Sequence, residues 1–176
     1  KGVDLEKTPK VTDIVTTIEH GPAGPALTLE DKQEVLRALK PSENQEGEKP
    51  IPGILIGKEL AQELWVGVED SVYIINPVGG GVGPLGMPTP DVRNFKVVGI
   101  FHTGMYEYDT KWTYIEISEA QDFLKMGDKI NGIEAQLKDI DDAPLQSELV
   151  GKALGYPFFI RHWMELNSNL FSALKM

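Results

Sequence analysis

The feature that most constrains the fold is a Gly- and Pro-rich segment at residues 76–94, NPVGGGVGPLGMPTPDVRN, which lies between two strand-like runs. These runs, 70–75 and 95–101, are rich in the β-branched and aromatic residues that strands favour, and we expect them to pair. A hairpin connection normally takes about two to five residues, and much longer ordered loops are usually functional. Prolines stand at four positions of the segment: Pro77, Pro84, Pro88 and Pro90. Because each proline restricts the backbone, the segment is interpreted as a stiff, protruding arm.

The apolar residues of this arm have no core of their own. Val78, Val82, Leu85 and Met87 follow neither a helical nor a strand period. An exposed apolar patch on an extended segment is typical of a docking surface, and stiffening by proline lowers the cost of ordering it on binding. The alternative is a loop that folds down over the domain's own sheet.

Two phosphate-binding motifs occur in incomplete form. Residues 81–86 fit the G-x-G-x-x-G pattern, but that fingerprint requires a helix after its last glycine, and the two prolines within 87–90 prevent one. Residues 53–58, GILIGK, resemble a phosphate-binding loop with one intervening residue too few, and Glu59 stands where a magnesium-binding Ser or Thr is required. The sequence therefore predicts no nucleotide site and no cofactor.

Charge and composition exclude several classes of partner. The chain of 176 residues is long enough for one domain, or for two small lobes that share one core. Its formal net charge of −10 argues against nucleic acid or an anionic membrane surface as the main partner. The absence of cysteine excludes disulfides and thiolate metal sites. The sequence also contains no run of eighteen apolar residues, so it predicts no membrane span.

Before the arm, the pattern predicts two helices, a polar loop, a strand and a third helix. The first helix starts at Thr8-Pro9 and ends at Gly21, and the second is capped by Thr28 and closed by Pro41. A polar surface loop at 41–50, a strand at 53–56 and a helix at 58–65 follow.

After the arm, strands and helices alternate. We expect strands at 113–117, 130–137 and 158–160. We also expect three helices: one through Met126 that starts with a Ser118–Gln121 capping box, one at about 143–154 capped by Asp141-Asp142, and one in the tail from 162. The order from 113 to 161 predicts a split βαβ-like unit. The fold class is therefore α+β, with the arm-bearing hairpin as a second, β-rich lobe.

Candidate catalytic groups are few. The three histidines, His20, His102 and His162, lie at no metal-ligand spacing. Residues 105–109 concentrate two phenols and two carboxylates, Tyr106, Glu107, Tyr108 and Asp109, which could serve acid–base chemistry if they lined one deep pocket. The favoured alternative is a turn whose tyrosines pack across the sheet, because no nucleophile or oxyanion loop accompanies them.

Four runs, taken in order, carry a family resemblance: 52–61, 95–101, 104–109 and the W-x-x-x-N-x-x-L-F-x-A-L pattern of 163–174. Together they resemble the periplasmic domain of the lipoprotein-releasing ABC-transporter permeases LolC, LolE and LolF, which belong to the MacB-like, FtsX-type superfamily. The resemblance covers nearly the whole chain. The residues from about 21 to 50 look like an insertion, and the family's first half-domain is missing at the start.

The resemblance implies a MacB-like fold with two subdomains. Residues 94–176 would form a membrane-proximal, βαβ-type Porter lobe that lacks its N-terminal half, and 1–93 a β-rich Sabre lobe that carries a Hook loop at about 77–93. One membrane helix would precede the chain, and a second would continue from its tail. In LolC-like members the Hook recruits a soluble periplasmic lipoprotein carrier, LolA, and Pro84-Leu85-Gly86 matches its Pro-x-Gly tip. The implied Hook contacts are Val78, Val82, Gly83, Pro84, Leu85, Gly86, Met87, Pro88, Pro90 and Arg93.

The resemblance also implies a transport function without catalysis in this domain. The domain would lie in the periplasm as part of an inner-membrane protein and relay motion driven by a separate LolD-like ATPase subunit. It would work beside a second permease copy and pass a lipoprotein cargo to the carrier held by the arm. Because LolE-like members lack a working Hook, the arm favours LolC or LolF. The alternative is a MacB-type efflux or FtsX-type signalling domain that docks a different periplasmic partner.

Overall fold

The computed structural model describes residues 1–41, 50–77, 79–83 and 86–168. These residues belong to two compact units, 1–134 and 135–176. No helix within the described ranges is long and apolar enough to cross a membrane.

The first unit combines short strands with short helices. Its strands are β1 (Gly2–Val3), β2 (Ile18–His20), β3 (Gly53–Gly57), β4 (Ser71–Asn76), β5 (Asp91–Phe101) and β6 (Thr113–Glu116). Its helices are α1 (Thr8–Val11), α2 (Ile14–Thr17), α3 (Leu29–Arg37), α4 (Lys58–Leu64), α5 (Tyr106–Lys111) and α6 (Ile117–Phe123).

The six strands form one mixed sheet in the order β1-β6-β3-β5-β2, with β4 also paired to β5. The long strand β5 organises it, since β3 runs parallel to β5 while β2 and β4 run antiparallel to it. Strand β6 is antiparallel to β3 and parallel to β1. The expected class, a mixture of helix and sheet, is confirmed.

Both faces of the sheet are buried at its centre. Leu55 of β3 and Phe101 of β5 lie in one apolar cluster with residues of α2 and α3, among them Leu36. Ile54 and Phe95 lie in a second cluster, which also includes Ala61 of α4 and Val97 of β5. A central strand buried on both faces explains why β3 is apolar along most of its length.

The second unit contains two helices among the described residues, α7 (Ala143–Leu154) and α8 (Trp163–Leu166). Trp163 Nε1 donates a hydrogen bond to the carbonyl oxygen of Ile140 at 3.2 Å. Several large apolar side chains of this unit are exposed, including Leu145, Leu149 and Phe159.

Several sequence predictions are confirmed. The runs at 70–75 and 95–101 pair antiparallel as expected only at their near ends, where Ser71 lies opposite Lys96 and Val72 opposite Phe95. The rest of β4 pairs with 91–94, which the sequence placed in the arm, so β5 begins earlier than predicted, at Asp91. Helix α3 begins with the expected cap, because the Thr28 side chain accepts from the Asp31 amide and Asp31 accepts from the Thr28 amide. The strand at 53–56 and the helices at 58–65 and 143–154 are also present.

Other predictions are wrong. The first predicted helix is divided into α1 and α2, because Thr12 between them is extended, and Ile18 pairs with Phe101 as part of β2. Helix α6 is capped by Glu116 rather than Ser118; Glu116 Oε2 accepts from the Ser118 amide at 2.8 Å. This helix also ends at Phe123 instead of Met126.

The βαβ-like unit predicted over 113–161 is wrong as well, since neither 130–137 nor 158–160 forms a strand. Alternation of apolar residues stabilises a strand only where one face packs on a core, and Ile133 is 87% exposed. The lobe boundary at 93/94 falls inside β5, and the division into Sabre and Porter lobes stays a prediction. Most of the predicted polar loop at 41–50 lies outside the described residues.

Candidate functional site

The predicted arm continues the β4–β5 hairpin as a narrow ladder. Beyond the last strand pair, the Gly80 amide donates to the Thr89 carbonyl at 2.8 Å and the Thr89 amide donates to the Gly81 carbonyl at 2.9 Å. Val82 then forms an antiparallel bridge with Pro88. A chain held by such cross-strand bonds has few conformations to lose on binding.

Glycine allows the two sides of the arm to approach closely. A Cβ atom at Gly80 would lie 2.5 Å from the carbonyl oxygen of Pro90, closer than real Cβ contacts. Gly81 has a φ of +97°, a left-handed conformation that other residues adopt only under strain. The glycine run at 79–81 is therefore explained by backbone geometry, and it does not indicate a phosphate site.

The apolar residues described near the tip of the arm are exposed. Val82 is 79% exposed and Met87 is 67% exposed, so neither side chain packs against the sheet. Gly83, Gly86, Pro88 and Pro90 lie between or beside them on the same ladder, and the Gly83 amide donates to the Met87 carbonyl at 2.8 Å. The other predicted Hook residues of the tip region, Val78, Pro84 and Leu85, lie outside the described residues.

Arg93 occupies a different environment from the rest of the predicted Hook set. It lies in β5 opposite Ile74, and its guanidinium group reaches α6. Its Nη2 lies 2.8 Å from Asp122 Oδ2 and its Nη1 lies 3.4 Å from Glu119 Oε2, while the group stacks 5.2 Å from the centre of the Phe123 ring. Arg93 thus ties the base of the arm to a helix.

A polar cluster lies where the parallel strands β3 and β5 end. Lys58 Nζ and His102 Nδ1 each lie 2.9 Å from a carboxylate oxygen of Glu19. His102 Nε2 lies 3.7 Å from Oδ2 of Asp109, a carboxylate that is only 1% exposed and accepts from the amide and the hydroxyl of Thr103. Hydrogen bonds from Lys58 first, and from His102 second, lower the pKa of Glu19. The cluster joins β2, α4 and α5, which is a sufficient structural role for it.

The candidate acid–base residues at 106–109 do not converge. They lie on α5, where Asp109 is buried and fixed by Thr103 while Tyr106 is 65% exposed. A cavity of about 620 Å³ lies in the second unit, lined by α7 and residues 158–162, and none of the four residues lines it. Burial also raises the pKa of the neighbouring Tyr114 to about 12, far from the range useful for proton transfer near neutral pH. Among the described residues, no group of His, Asp and Glu could hold a metal ion.

Comparison with known proteins identifies the family. The chain is 34% identical over 132 residues to the lipoprotein-releasing system transmembrane protein LolC of Xylella fastidiosa (strain Temecula1), in an alignment that covers 70% of this chain and 29% of that protein. The chain belongs to the LolC family. It is also 32% identical over 130 residues to LolC of Neisseria meningitidis serogroup B (strain MC58), where the alignment covers 72% of this chain and 31% of that protein. No protein-family model matches the chain.

The family resemblance predicted from the four sequence runs is therefore confirmed. The LolC-like domain spans about three tenths of the length of these relatives. The names of these relatives describe whole transmembrane proteins, whereas the present chain consists of the mixed sheet with its helices, the arm and the small second unit.

Sequence reasoning missed two parts of the LolC-like domain's surface. The contacts of Arg93 with Glu119 and Asp122 span more than twenty residues and have no local signal. The exposed apolar residues of the hairpin face, Tyr73, Ile75 and Val92, were also missed. The central residues of β4 are all hydrophobic, so the sequence does not indicate which ones face the core, and Val92 lies in the segment predicted to be the arm.

Proposed function

We propose that this LolC-like domain is the periplasmic part of an inner-membrane lipoprotein-releasing permease, and that its arm docks a soluble lipoprotein carrier of the LolA type. The observation that carries the proposal is the exposure of Val82 and Met87 near the tip of a hydrogen-bonded ladder. Two large apolar side chains held away from any core are typical anchors of a protein interface.

The construction of the arm supports a docking role. Cross-strand bonds at Gly80 and Thr89 order its stem, and the ion pairs of Arg93 hold its base against α6. A preformed binding element loses less conformational entropy on association than a free loop does, so more of the contact energy remains as affinity. The predicted contacts at Val78, Pro84 and Leu85 lie outside the described residues. A direct contact from Arg93 would have to compete with its ion pairs.

In this proposal the domain acts mechanically. ATP hydrolysis by a separate LolD-like subunit moves the membrane helices, the domain relays that motion beside a second permease copy, and a lipoprotein passes to the carrier on the arm. The domain catalyses no reaction, and its residues bind no cofactor. A MacB-type or FtsX-type domain would dock a different partner, and the LolC names of the relatives favour the lipoprotein-releasing role.

Point variants of the arm test the proposal most directly. The double variant Val82→Ser and Met87→Ser removes both exposed anchors and leaves the ladder intact. We expect it to weaken binding of purified LolA-type carrier to the 176-residue chain at least tenfold, because truncating one interface anchor can cost about 2 kcal/mol. Ile133→Ser is the matched control, since it removes an aliphatic side chain of similar exposure elsewhere in the same unit.

Replacing residues 82–88 by a short Gly/Ser turn gives the stronger test. Because the described side chains near the tip do not pack on the sheet, the free energy of unfolding should change by no more than about 1 kcal/mol, while carrier binding disappears. Wild-type affinity in either folded variant would refute the docking role. Capture of an efflux adaptor or a cell-wall hydrolase instead of the carrier, in a pull-down from periplasmic extract, would favour the alternative family role.

A further inference from the structure

The hairpin has a second feature, an open edge along β4. Strand β4 pairs with β5 on one side, and no strand among the described residues pairs with its other side. Such an edge presents a row of backbone donors and acceptors that can accept a strand from another protein.

The hydrogen-bond pattern shows which amides face this open edge. The Lys96 amide donates to Pro52 on the β3 side of β5, whereas the Val97 amide donates to Asp70 on the β4 side. Because successive residues of a strand point their amides to opposite sides, the amides of Phe95 and Arg93 also face β4.

The same alternation applies to β4. The backbone groups of Val72 and Ile74, which pair with Phe95 and Arg93, face inward to β5, so those of Ser71, Tyr73 and Ile75 face outward to the open edge.

The two edges of the hairpin are protected unequally. In the arm, Thr89 points its amide and carbonyl inward to Gly81 and Gly80, so Pro88 and Pro90 occupy the outward-facing positions on that side. Proline has no amide hydrogen and prevents strand addition there. Strand β4, SVYIIN, contains no proline, glycine or charged residue, so neither proline nor charge blocks pairing along its open edge.

Exposed apolar side chains accompany the open edge. Tyr73 is 67% exposed and Ile75 is 61% exposed, and Ile75 lies directly opposite the half-exposed Val92 of β5. A strand added along β4 would place its own side chains beside Tyr73 and Ile75, so backbone bonds and apolar contacts would form together.

We propose that the outer edge of β4 accepts a β-strand from the same protein that the arm holds. The inference rests on the proposed docking function, and continuity supports it: β4 leads directly into the arm, so a partner that extends from Val82 and Met87 toward the base of the arm would reach this edge. A second copy of this chain is the less favoured occupant, because a net charge of −10 on each copy opposes self-association. The partner therefore needs an exposed strand edge of its own, with apolar side chains on one face.

Amide hydrogen exchange measured by NMR tests this inference within one strand. In the free 176-residue chain, the outward amides of Tyr73 and Ile75 should exchange faster than the ladder amides of Val72 and Ile74. Addition of LolA-type carrier should slow exchange at Tyr73 and Ile75 about tenfold or more, since these amides gain hydrogen bonds, and the ladder amides serve as the internal control. Unchanged exchange at Tyr73 and Ile75 in a complex that still depends on the arm would overturn the inference and leave the docking function standing.

A pair of variants gives an independent measurement. Tyr73→Pro removes an outward amide without removing a bond to β5, and Tyr73→Val removes the ring but keeps the amide. We expect the proline variant to bind the carrier about tenfold more weakly than the valine variant, with both folded as judged by circular dichroism. Equal affinities would overturn the inference, as would concentration-dependent dimerisation of the wild type that Tyr73→Pro abolishes.

If the wild-type chain does not bind the carrier at all, the proposed function fails and this inference fails with it.

Discussion

Gly57 lies at the end of β3, beside the polar cluster, and its substitution by alanine tests the packing of this region. Its backbone is in an ordinary extended conformation, with φ −69° and ψ 151°, so alanine causes no dihedral strain there. Space is the constraint. A Cβ atom would lie 2.6 Å from the carbonyl carbon of Asp109 and 2.7 Å from its Cα.

The size of the destabilisation depends on which atoms must move to make room for the added methyl group. Carbon atoms in contact prefer separations of about 3.5–4.0 Å, so the added methyl group requires α5 and β3 to separate by roughly 1 Å. The obstructing atoms are backbone, and Asp109 is fixed by its hydrogen bonds with Thr103. Overpacking costs about 1–3 kcal/mol, against a gain of about 0.4–1 kcal/mol from stiffening the unfolded chain. Because the obstructing atoms are backbone, we expect an overpacking cost near the upper end of its range, so Gly57→Ala should lower the free energy of unfolding by about 2 kcal/mol.

Urea denaturation followed by tryptophan fluorescence and circular dichroism measures this change. With a slope of about 2 kcal/mol per molar urea, the midpoint should fall by about 1 M. Gly67→Ala is the matched control, because a Cβ atom there would lie 3.8 Å from its nearest neighbour, an oxygen of Asp70. That variant should stay within about 1 kcal/mol of wild type. A Gly57→Ala chain as stable as wild type would refute the packing argument.

Two further predictions concern local interactions. The pKa of Glu19 is lowered below its ordinary value of 4.5 by Lys58 and His102, so this carboxylate stabilises the fold above that pH, and the contribution is lost as pH falls through the lowered pKa. Glu19→Gln should therefore flatten the dependence of the free energy of unfolding on pH below about pH 5. The effect should be no more than about 1 kcal/mol, because Glu19 is partly exposed. Chemical denaturation at several pH values measures it, and a variant with the wild-type pH dependence would contradict the prediction. Thr28→Ala should destabilise α3 by about 1 kcal/mol, since it removes the acceptor for the Asp31 amide, and Thr28→Ser should restore most of that loss in thermal unfolding.

Local signals in the sequence predicted local structure well. The capping box at Thr28 satisfies backbone amides within four residues, so its geometry depends on no distant contact. The strands on either side of the arm were predictable for a similar reason, because β-branched and aromatic runs bounded by Gly and Pro indicate strands, and strands that flank one loop commonly pair.

The failures arose where distant packing decides the outcome. The residues up to Ile18 fit helical spacing, yet Ile18 is fully buried in β2, because pairing with Phe101 satisfies both its backbone and its side chain. The alternating pattern at 130–137 lacks such a partner among the described residues, and it forms no strand. Periodicity states which residues could share a face, and the surrounding chain determines whether that face is buried.

The contacts of Arg93 bear on how docking energy is distributed over the hairpin. Its guanidinium group is already bracketed by Glu119 and Asp122 and stacks on Phe123, so a direct contact with a partner would have to displace bonds that exist in the free chain. An ion pair that is partly exposed contributes about 0–1 kcal/mol, and exchanging one such pair for another yields little net affinity. The exposed side chain of Val82 has no partner packed around it to lose, and burying a full aliphatic side chain yields about 1.5–3 kcal/mol. Affinity should therefore come chiefly from the apolar tip and the open β4 edge, while Arg93 holds the base that positions both.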